Sequence, residues 1–153
     1  MLSSTHAAGA PRRMPPGLSD HPPEPLLEAI GPIEEDDHIL VLGGLGPELM
    51  CALLRAGATN VIHLRAHERP EADSASLVIV PRVPSLDWLA TAMPSIHRAL
   101  TAHGRLVLHA GTQLTMQTQI RRMLTLHGLS EIRAWTTGDG PMISAERPRR
   151  PSA

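Results

Sequence analysis

The chain has 153 residues, enough for one domain with a substantial core and too few for two domains of ordinary size. Its formal net charge is −1, Phe and Tyr are absent and only two Trp occur, so neither charge nor base stacking indicates a nucleic-acid partner. The single cysteine cannot form an internal disulfide, and no apolar run approaches the roughly 18 to 20 residues that cross a bilayer. We therefore expect a cytoplasmic protein without a membrane span.

The two ends of the chain differ in composition from its middle. Residues 1–25 are rich in Pro, Ser, Gly and His and lack a periodic apolar pattern, which predicts a flexible N-terminal arm. From Arg147 onward, three arginines are interspersed with two prolines, which predicts a flexible ending with residues 149–153 as the tail proper. A single α/β domain is therefore expected over residues 26–148.

The first predicted elements form a βαβ unit. A short helical turn at residues 26–30 precedes a continuous apolar run, residues 39–42, which is typical of a strand buried on both faces. Gly43 and Gly44 end this strand, Pro47 suits the first turn of a helix, and Gly57 is the predicted stop of that helix. A second strand over residues 61–64 completes the crossover.

The middle of the chain predicts a loop, a strand and a long helix. Residues 66–76 are predicted to form a loop or a single helical turn, and residues 77–80 a third buried strand. Ser85 is expected to cap a helix whose apolar face extends to Leu100. Pro94 is expected to kink or divide this helix, and Gly104 to end it.

The last predicted elements are a strand, a helix and a hairpin. Residues 105–109 predict a fourth parallel strand, and the following helix is predicted to end at Gly128. Residues 131–135 and 142–146 are strand-like and flank the pair Asp139 and Gly140, which is a strong hairpin signal. The predicted fold is a Rossmann-like three-layer α/β sandwich with about four parallel strands and a terminal antiparallel hairpin.

Several segments resemble a known family in the order in which they occur. Residues 39–46, Ile-Leu-Val-Leu-Gly-Gly-Leu-Gly, are similar to the first motif of class I S-adenosylmethionine-dependent methyltransferases. Residues 76–80 resemble that family's fourth strand, residues 103–108 resemble its turn into strand five, and the hairpin resembles its ending. The resemblance covers residues 36–148. It implies an S-adenosylmethionine cofactor, with contacts from these residues: Gly43, Gly44, Leu45, Gly46, His63 and Arg65.

The sequence also departs from the family pattern. The acid usually found within the first motif is replaced by Val41 or Leu42, depending on how the glycines are aligned. The acid that normally holds the ribose hydroxyls falls on Arg65, which donates hydrogen bonds but cannot accept them. Residues 66–76 are too few for the helix, strand and helix that the family places there. Pro81 and Pro84 stand where one class of amino-methyltransferase has an Asn/Asp-Pro-Pro-aromatic phrase, which disfavours that class.

The glycine loop is the main candidate for ligand binding. Glycines at a strand-to-helix turn let a ligand approach the backbone, although such a turn also uses glycine simply for positive φ. Dinucleotide binding is a further alternative, because Arg65 stands where a 2′-phosphate is read, but Glu48 and the lack of a full G-x-G-x-x-G weaken it.

The histidines and the cysteine carry weaker hypotheses. His109, at a predicted strand end, is a candidate general base, with a buried structural histidine as the alternative. A zinc site needs three or four converging ligands, and His63 and His67 at a strand end do not share a helix face as the histidines of H-E-x-x-H do, so no metal site is predicted. Cys51 lies among apolar residues of the first helix and is predicted to belong to the core.

Two functions from different classes remain open. The first is a small S-adenosylmethionine-dependent methyltransferase that acts on an unknown small molecule or protein. The second is a methyltransferase fold that has lost its cofactor and serves as an interaction or regulatory module with a protein partner. The altered acids favour the second, and the family resemblance favours the first.

Overall fold

The computed structural model describes residues 24–44, 47–111, 113–137 and 140–149. Its elements, in chain order, are α1 (Glu24–Ile30), β1 (His38–Leu42), α2 (Pro47–Arg55), β2 (Asn60–Leu64), β3 (Ala75–Val80), α3 (Leu86–Ala99), β4 (Leu100–His109), α4 (Leu114–Leu126), β5 (Ser130–Thr137) and β6 (Gly140–Glu146). The predicted arm lies outside the described residues except for residues 24 and 25, with which α1 begins. Of the predicted tail, only Arg149 is described.

One mixed sheet organises all six strands. Their order is β2-β1-β3-β4-β6-β5, with β2, β1, β3 and β4 mutually parallel. Strand β6 is antiparallel to both β4 and β5, so the chain finishes as a hairpin beside the parallel strands. The predicted four parallel strands and terminal hairpin are confirmed.

The sheet is the middle of three layers. Successive side chains of a strand point to opposite faces, and in β1 both sets are buried. Ile39 and Val41 pack with residues of α1 and α2, whereas Leu40 and Leu42 pack with residues of α3 and α4. The longest helix, α3, has 14 residues, and no helix in the described part of the chain is long and apolar enough to span a membrane. The three-layer prediction is confirmed.

Helix α3 begins as predicted but ends earlier. The Ser85 hydroxyl accepts a hydrogen bond from the Trp88 backbone N–H at 3.1 Å, which confirms the predicted cap. Pro94 does not divide the helix, which is unbroken to Ala99; its exposed position lets water reach the carbonyl that loses a partner. Leu100 leaves the helix and pairs with Ala75, so β4 begins there.

Gly104 therefore lies inside β4 and not at the end of α3 as predicted. The pairing of β4 with β3 is irregular near this point, and His103 has a φ of 64°. A Cβ on Gly104 would lie 2.8 Å from the Thr101 carbonyl oxygen. Glycine is required here by close backbone approach within the strand.

Arg147 joins three segments at the amino end of the parallel strands. It is only 7% exposed, although the sequence predicted a flexible segment from this residue onward. Its guanidinium donates to the Asp73 carboxylate at 2.7 Å and to the carbonyls of His97 and Leu100. Its backbone also hydrogen-bonds to that of β4. The ordered domain thus includes Arg147, because a buried guanidinium needs these acceptors.

Arg147→Ala is expected to lower the free energy of unfolding by about 2 kcal/mol, because it leaves buried carbonyls without their donor. Urea unfolding measures this change, with Arg149→Ala as the matched control because Arg149 is exposed. Equal effects of the two substitutions would contradict the role assigned to Arg147.

Candidate functional site

The candidate site lies at the carboxyl edge of the parallel strands. Leu42 of β1 is paired with Leu64 of β2, and the pairing of β1 with β3 and of β3 with β4 continues the same alignment. Gly43 and Arg65 therefore follow β1 and β2 at this edge, where His109 ends β4. Open α/β sheets bind ligands at this edge, outside the carboxyl ends of their strands.

The two described glycines of the β1–α2 turn have different surroundings. Gly43 has a φ of 94°, and a Cβ placed on it would lie 3.1 Å from the Trp88 ring. A Cβ on Gly44, in contrast, would meet no atom within 4 Å. The predicted cofactor residues Leu45 and Gly46 lie outside the described residues. Gly43 is thus a structural requirement of the turn, and Gly44 leaves open space where a ligand can approach the backbone.

His63 contacts the glycine turn directly. Its Nε2 is hydrogen-bonded to the Gly43 carbonyl oxygen, so the imidazole acts as the donor. The Gly43 N–H in turn donates to the Leu64 carbonyl at 3.1 Å. The structure therefore brings together His63 and Gly43, which the sequence predicted for one site. The two hydrogen bonds hold the glycine turn against the end of β2.

Arg65 and Glu68 close a tight turn after β2. The Arg65 backbone N–H donates to the Glu68 carboxylate at 3.1 Å, and the Glu68 N–H donates to the Arg65 carbonyl at 3.0 Å. Both side chains are exposed. The Ser95 hydroxyl of α3 donates to the Glu68 carbonyl at 3.1 Å and so ties this turn to the helix. A carboxylate is therefore present next to the end of β2, although Arg65 occupies the strand-end position itself.

Sequence reasoning missed Glu68 and Trp88. Glu68 has a detectable signal, since an acid three residues after Arg65, the first residue beyond β2, can accept from the backbone N–H of that residue. Trp88 lies in the first turn of α3, and nothing local to its sequence indicates the approach to Gly43. The half-buried Trp88 ring forms a wall beside the glycine turn.

His109 lies at the same edge but beneath the terminal hairpin. Its side chain is almost fully buried, and its Nδ1 accepts the Gly111 backbone N–H at 3.2 Å. A Cβ on Gly140 would lie 3.2 Å from its Nε2, so the ring packs closely against β6. This setting matches the structural alternative for His109. A general-base role remains a prediction.

Cys51 corrects the sequence prediction for α2. The buried residues of this helix are Leu49, Ala52 and Leu53, whereas Cys51 is exposed. Two residues along an α-helix correspond to just over half a turn, which carries Cys51 away from the side that Leu53 buries. In the described part of the chain, no group of three His, Cys, Asp or Glu side chains is placed to hold a metal ion.

Comparisons with known proteins identify the fold. No protein-family model matches this chain, and no curated protein sequence matches it significantly. An S-adenosylmethionine-dependent methyltransferase from Mesorhizobium loti is 14% identical with a TM-score of 0.63, and the match covers 84% of this chain and 99% of that one. A SAM-dependent methyltransferase from Aquifex aeolicus is 12% identical with a TM-score of 0.57, and the match covers 82% of this chain and 89% of that one.

A third match is a larger enzyme. Phosphoethanolamine N-methyltransferase 2 from Haemonchus contortus, solved in complex with S-adenosyl-L-methionine, is 12% identical with a TM-score of 0.61. The match covers 82% of this chain and 52% of that one. The chain therefore has the Rossmann-like fold of class I S-adenosylmethionine-dependent methyltransferases, as its motifs predicted.

Gly43→Ala is expected to lower the free energy of unfolding by about 1 to 3 kcal/mol, because it forces a side chain into positive φ and against Trp88. Gly44→Ala is the control and should change stability by no more than about 0.5 kcal/mol, since its Cβ meets open space. Chemical denaturation of both variants tests this, and an equal loss at both positions would contradict it.

Proposed function

We propose that this chain binds S-adenosylmethionine at the carboxyl edge of its sheet and acts as a small methyltransferase. The observation that carries the proposal is the open position at Gly44, at the β1–α2 turn of this particular fold. The matched fold supports it, because several proteins with that fold are described as S-adenosylmethionine-dependent methyltransferases. The acceptor is a small molecule or a protein.

The residues at this edge fit the cofactor. Backbone groups at Gly44 are accessible to its methionine part, and the Trp88 ring provides an apolar wall beside the turn. The exposed Glu68 carboxylate, next to the end of β2, offers the acceptor oxygens for ribose hydroxyls that Arg65 lacks. His63 holds the Gly43 carbonyl and so maintains the shape of the turn.

The chain's own contribution to catalysis would be positioning. When bound, the cofactor supplies a methyl group on a positively charged sulfur. Methyl transfer requires the acceptor atom in line with that carbon–sulfur bond, and holding both reactants in this geometry removes much of the entropic barrier. The turn at Gly44 and the wall at Trp88 would fix the cofactor side of this arrangement.

A second function is supported by a specific observation. Arg65 is an exposed cation next to the end of β2, where the family's pattern has an acid. This cation suits a fold that no longer binds a cofactor and instead contacts a protein partner. Cofactor binding distinguishes the two functions.

Isothermal titration calorimetry with S-adenosylhomocysteine is expected to show a micromolar dissociation constant for the wild-type chain. Gly44→Asp should abolish the heat, because the new side chain fills the approach to the backbone while leaving the fold intact. Absence of heat and of thermal stabilisation with millimolar ligand would reject the methyltransferase proposal and favour the interaction module.

Arg65→Asp is expected to tighten cofactor binding about tenfold, because it replaces a cation with an acceptor for hydroxyl groups, an exchange on the order of 1.4 kcal/mol. The same titration measures it. Arg69→Asp makes the same charge change in the exposed loop after β2 and should leave the affinity almost unchanged. Equal gains from both variants would indicate a general charge effect and contradict a local role for position 65.

A further inference from the structure

The two edge strands of the sheet differ in how they are protected. At one edge, β5 carries Glu131 and Arg133, and its pairing with β6 contains a register shift. Charges and bulges of this kind oppose pairing with another chain. At the other edge, the sequence of β2 is Asn-Val-Ile-His-Leu, with no Asp, Glu, Lys or Arg. Within the described chain, the outer side of β2 has no strand partner.

The backbone of β2 presents a defined set of outward groups. The Leu64 carbonyl accepts the Gly43 N–H, so Leu64 points its backbone groups toward β1. Because backbone groups of successive residues point to alternate sides of a strand, Ile62 also faces β1. Val61 and His63 therefore direct their N–H and C=O groups outward. These are two donors and two acceptors that water or another strand must satisfy.

We propose that β2 pairs antiparallel with β2 of a second copy, so that one sheet of twelve strands runs through a symmetric dimer. The twofold axis would pass beside Ile62. In this register Val61 lies opposite the partner's His63, and the backbone N–H of each residue donates to the carbonyl of the other. The twofold axis repeats these two hydrogen bonds, so all the outward groups named above are satisfied. Such a self-complementary interface closes at two subunits.

The side chains of β2 favour this register. Ile62 lies opposite the partner's Ile62, and its side chain is 56% exposed in the single chain, so pairing covers apolar surface. Asn60 lies opposite the partner's Leu64, which places no like charges together. In a register centred on His63, Val61 would lie opposite the partner's Arg65, and the Arg65 N–H would have to donate to the Val61 carbonyl. That N–H already donates to Glu68.

An apolar groove beside Ile62 extends this contact surface. Its volume is about 230 Å³, and it is lined mainly by apolar residues such as Leu40, Ile62 and Leu64, with the charged Arg69 and Glu71 on the side of the loop after β2. The grooves of the two copies would lie on the same face of the continuous sheet, on either side of the twofold axis. In this arrangement the two exposed Ile62 side chains meet on that face at the axis, so a second copy would cover apolar surface that each single chain leaves open.

Sedimentation velocity of the full-length chain at increasing concentration tests the proposal. We expect a dimer whose fraction rises with concentration. Ile62→Lys should weaken association about tenfold or more, because it places two ammonium groups opposite each other. Leu126→Lys is the matched control: Leu126 is 79% exposed on α4, and its replacement should leave association unchanged.

Disulfide trapping identifies the register. In a Cys51→Ser background, Ile62→Cys should cross-link two chains under mild oxidation, because directly opposed residues of a non-hydrogen-bonded antiparallel pair lie within disulfide range. Leu126→Cys in the same background should not. A full-length chain that stays monomeric at every concentration, a dimer unaffected by Ile62→Lys, or a dimer that Ile62→Cys fails to cross-link would each overturn the proposal.

Discussion

The central parallel strands must be covered on both faces, and the rest of the structure depends on this requirement. From Ile39 to Leu42 every side chain of β1 is buried, and β3 is nearly as apolar. At about 25 cal/mol per Å² of apolar surface, leaving either face open would be costly. Helices α1 and α2 cover one face and α3 and α4 the other. The glycine turn follows from this order, since the chain must leave β1 and return as a helix.

The cover is incomplete beside β2. The loop between β2 and β3 contains no helix or strand, and β2 is the most exposed of the parallel strands. The same short loop shapes both ends of this region. At the carboxyl edge it places the Glu68 carboxylate next to the end of β2. Farther along, its Pro70 lines the groove beside Ile62. The absence of an intervening helix within this described loop thus alters the candidate site and leaves a sheet edge open.

Continuous apolar runs and turn residues were sufficient to predict most of the fold. The strands at residues 39–42 and 77–80 are buried on both faces, and the cap at Ser85 depends on residues close in sequence. Leu100 was harder to assign, because it suits the apolar face of a helix as well as a buried strand. Its state is decided by pairing with Ala75.

The contacts of Arg147 and Trp88, which sequence reasoning missed, are made with residues distant in the chain. Arg147 is ordered by Asp73, which is 74 positions earlier in the chain. The approach of Trp88 to Gly43 likewise joins separate elements of the fold. The sequence predicted only that His63 and Gly43 belong to one site. The order of the strands brings the ends of β1 and β2 together, but it does not specify the hydrogen bond between these two residues. Spacing along the chain contains none of this information.

The position of Trp88 also has a spectroscopic consequence. Because the chain has no Tyr and no other aromatic side chain than Trp135, its near-ultraviolet emission arises from two indoles. One lies against the glycine turn and the other on β5, two strands beyond β4. Replacing Trp135 would leave an intrinsic fluorophore whose emission is sensitive to the polarity beside Gly43. The protein therefore carries its own optical probe at the carboxyl edge of the sheet.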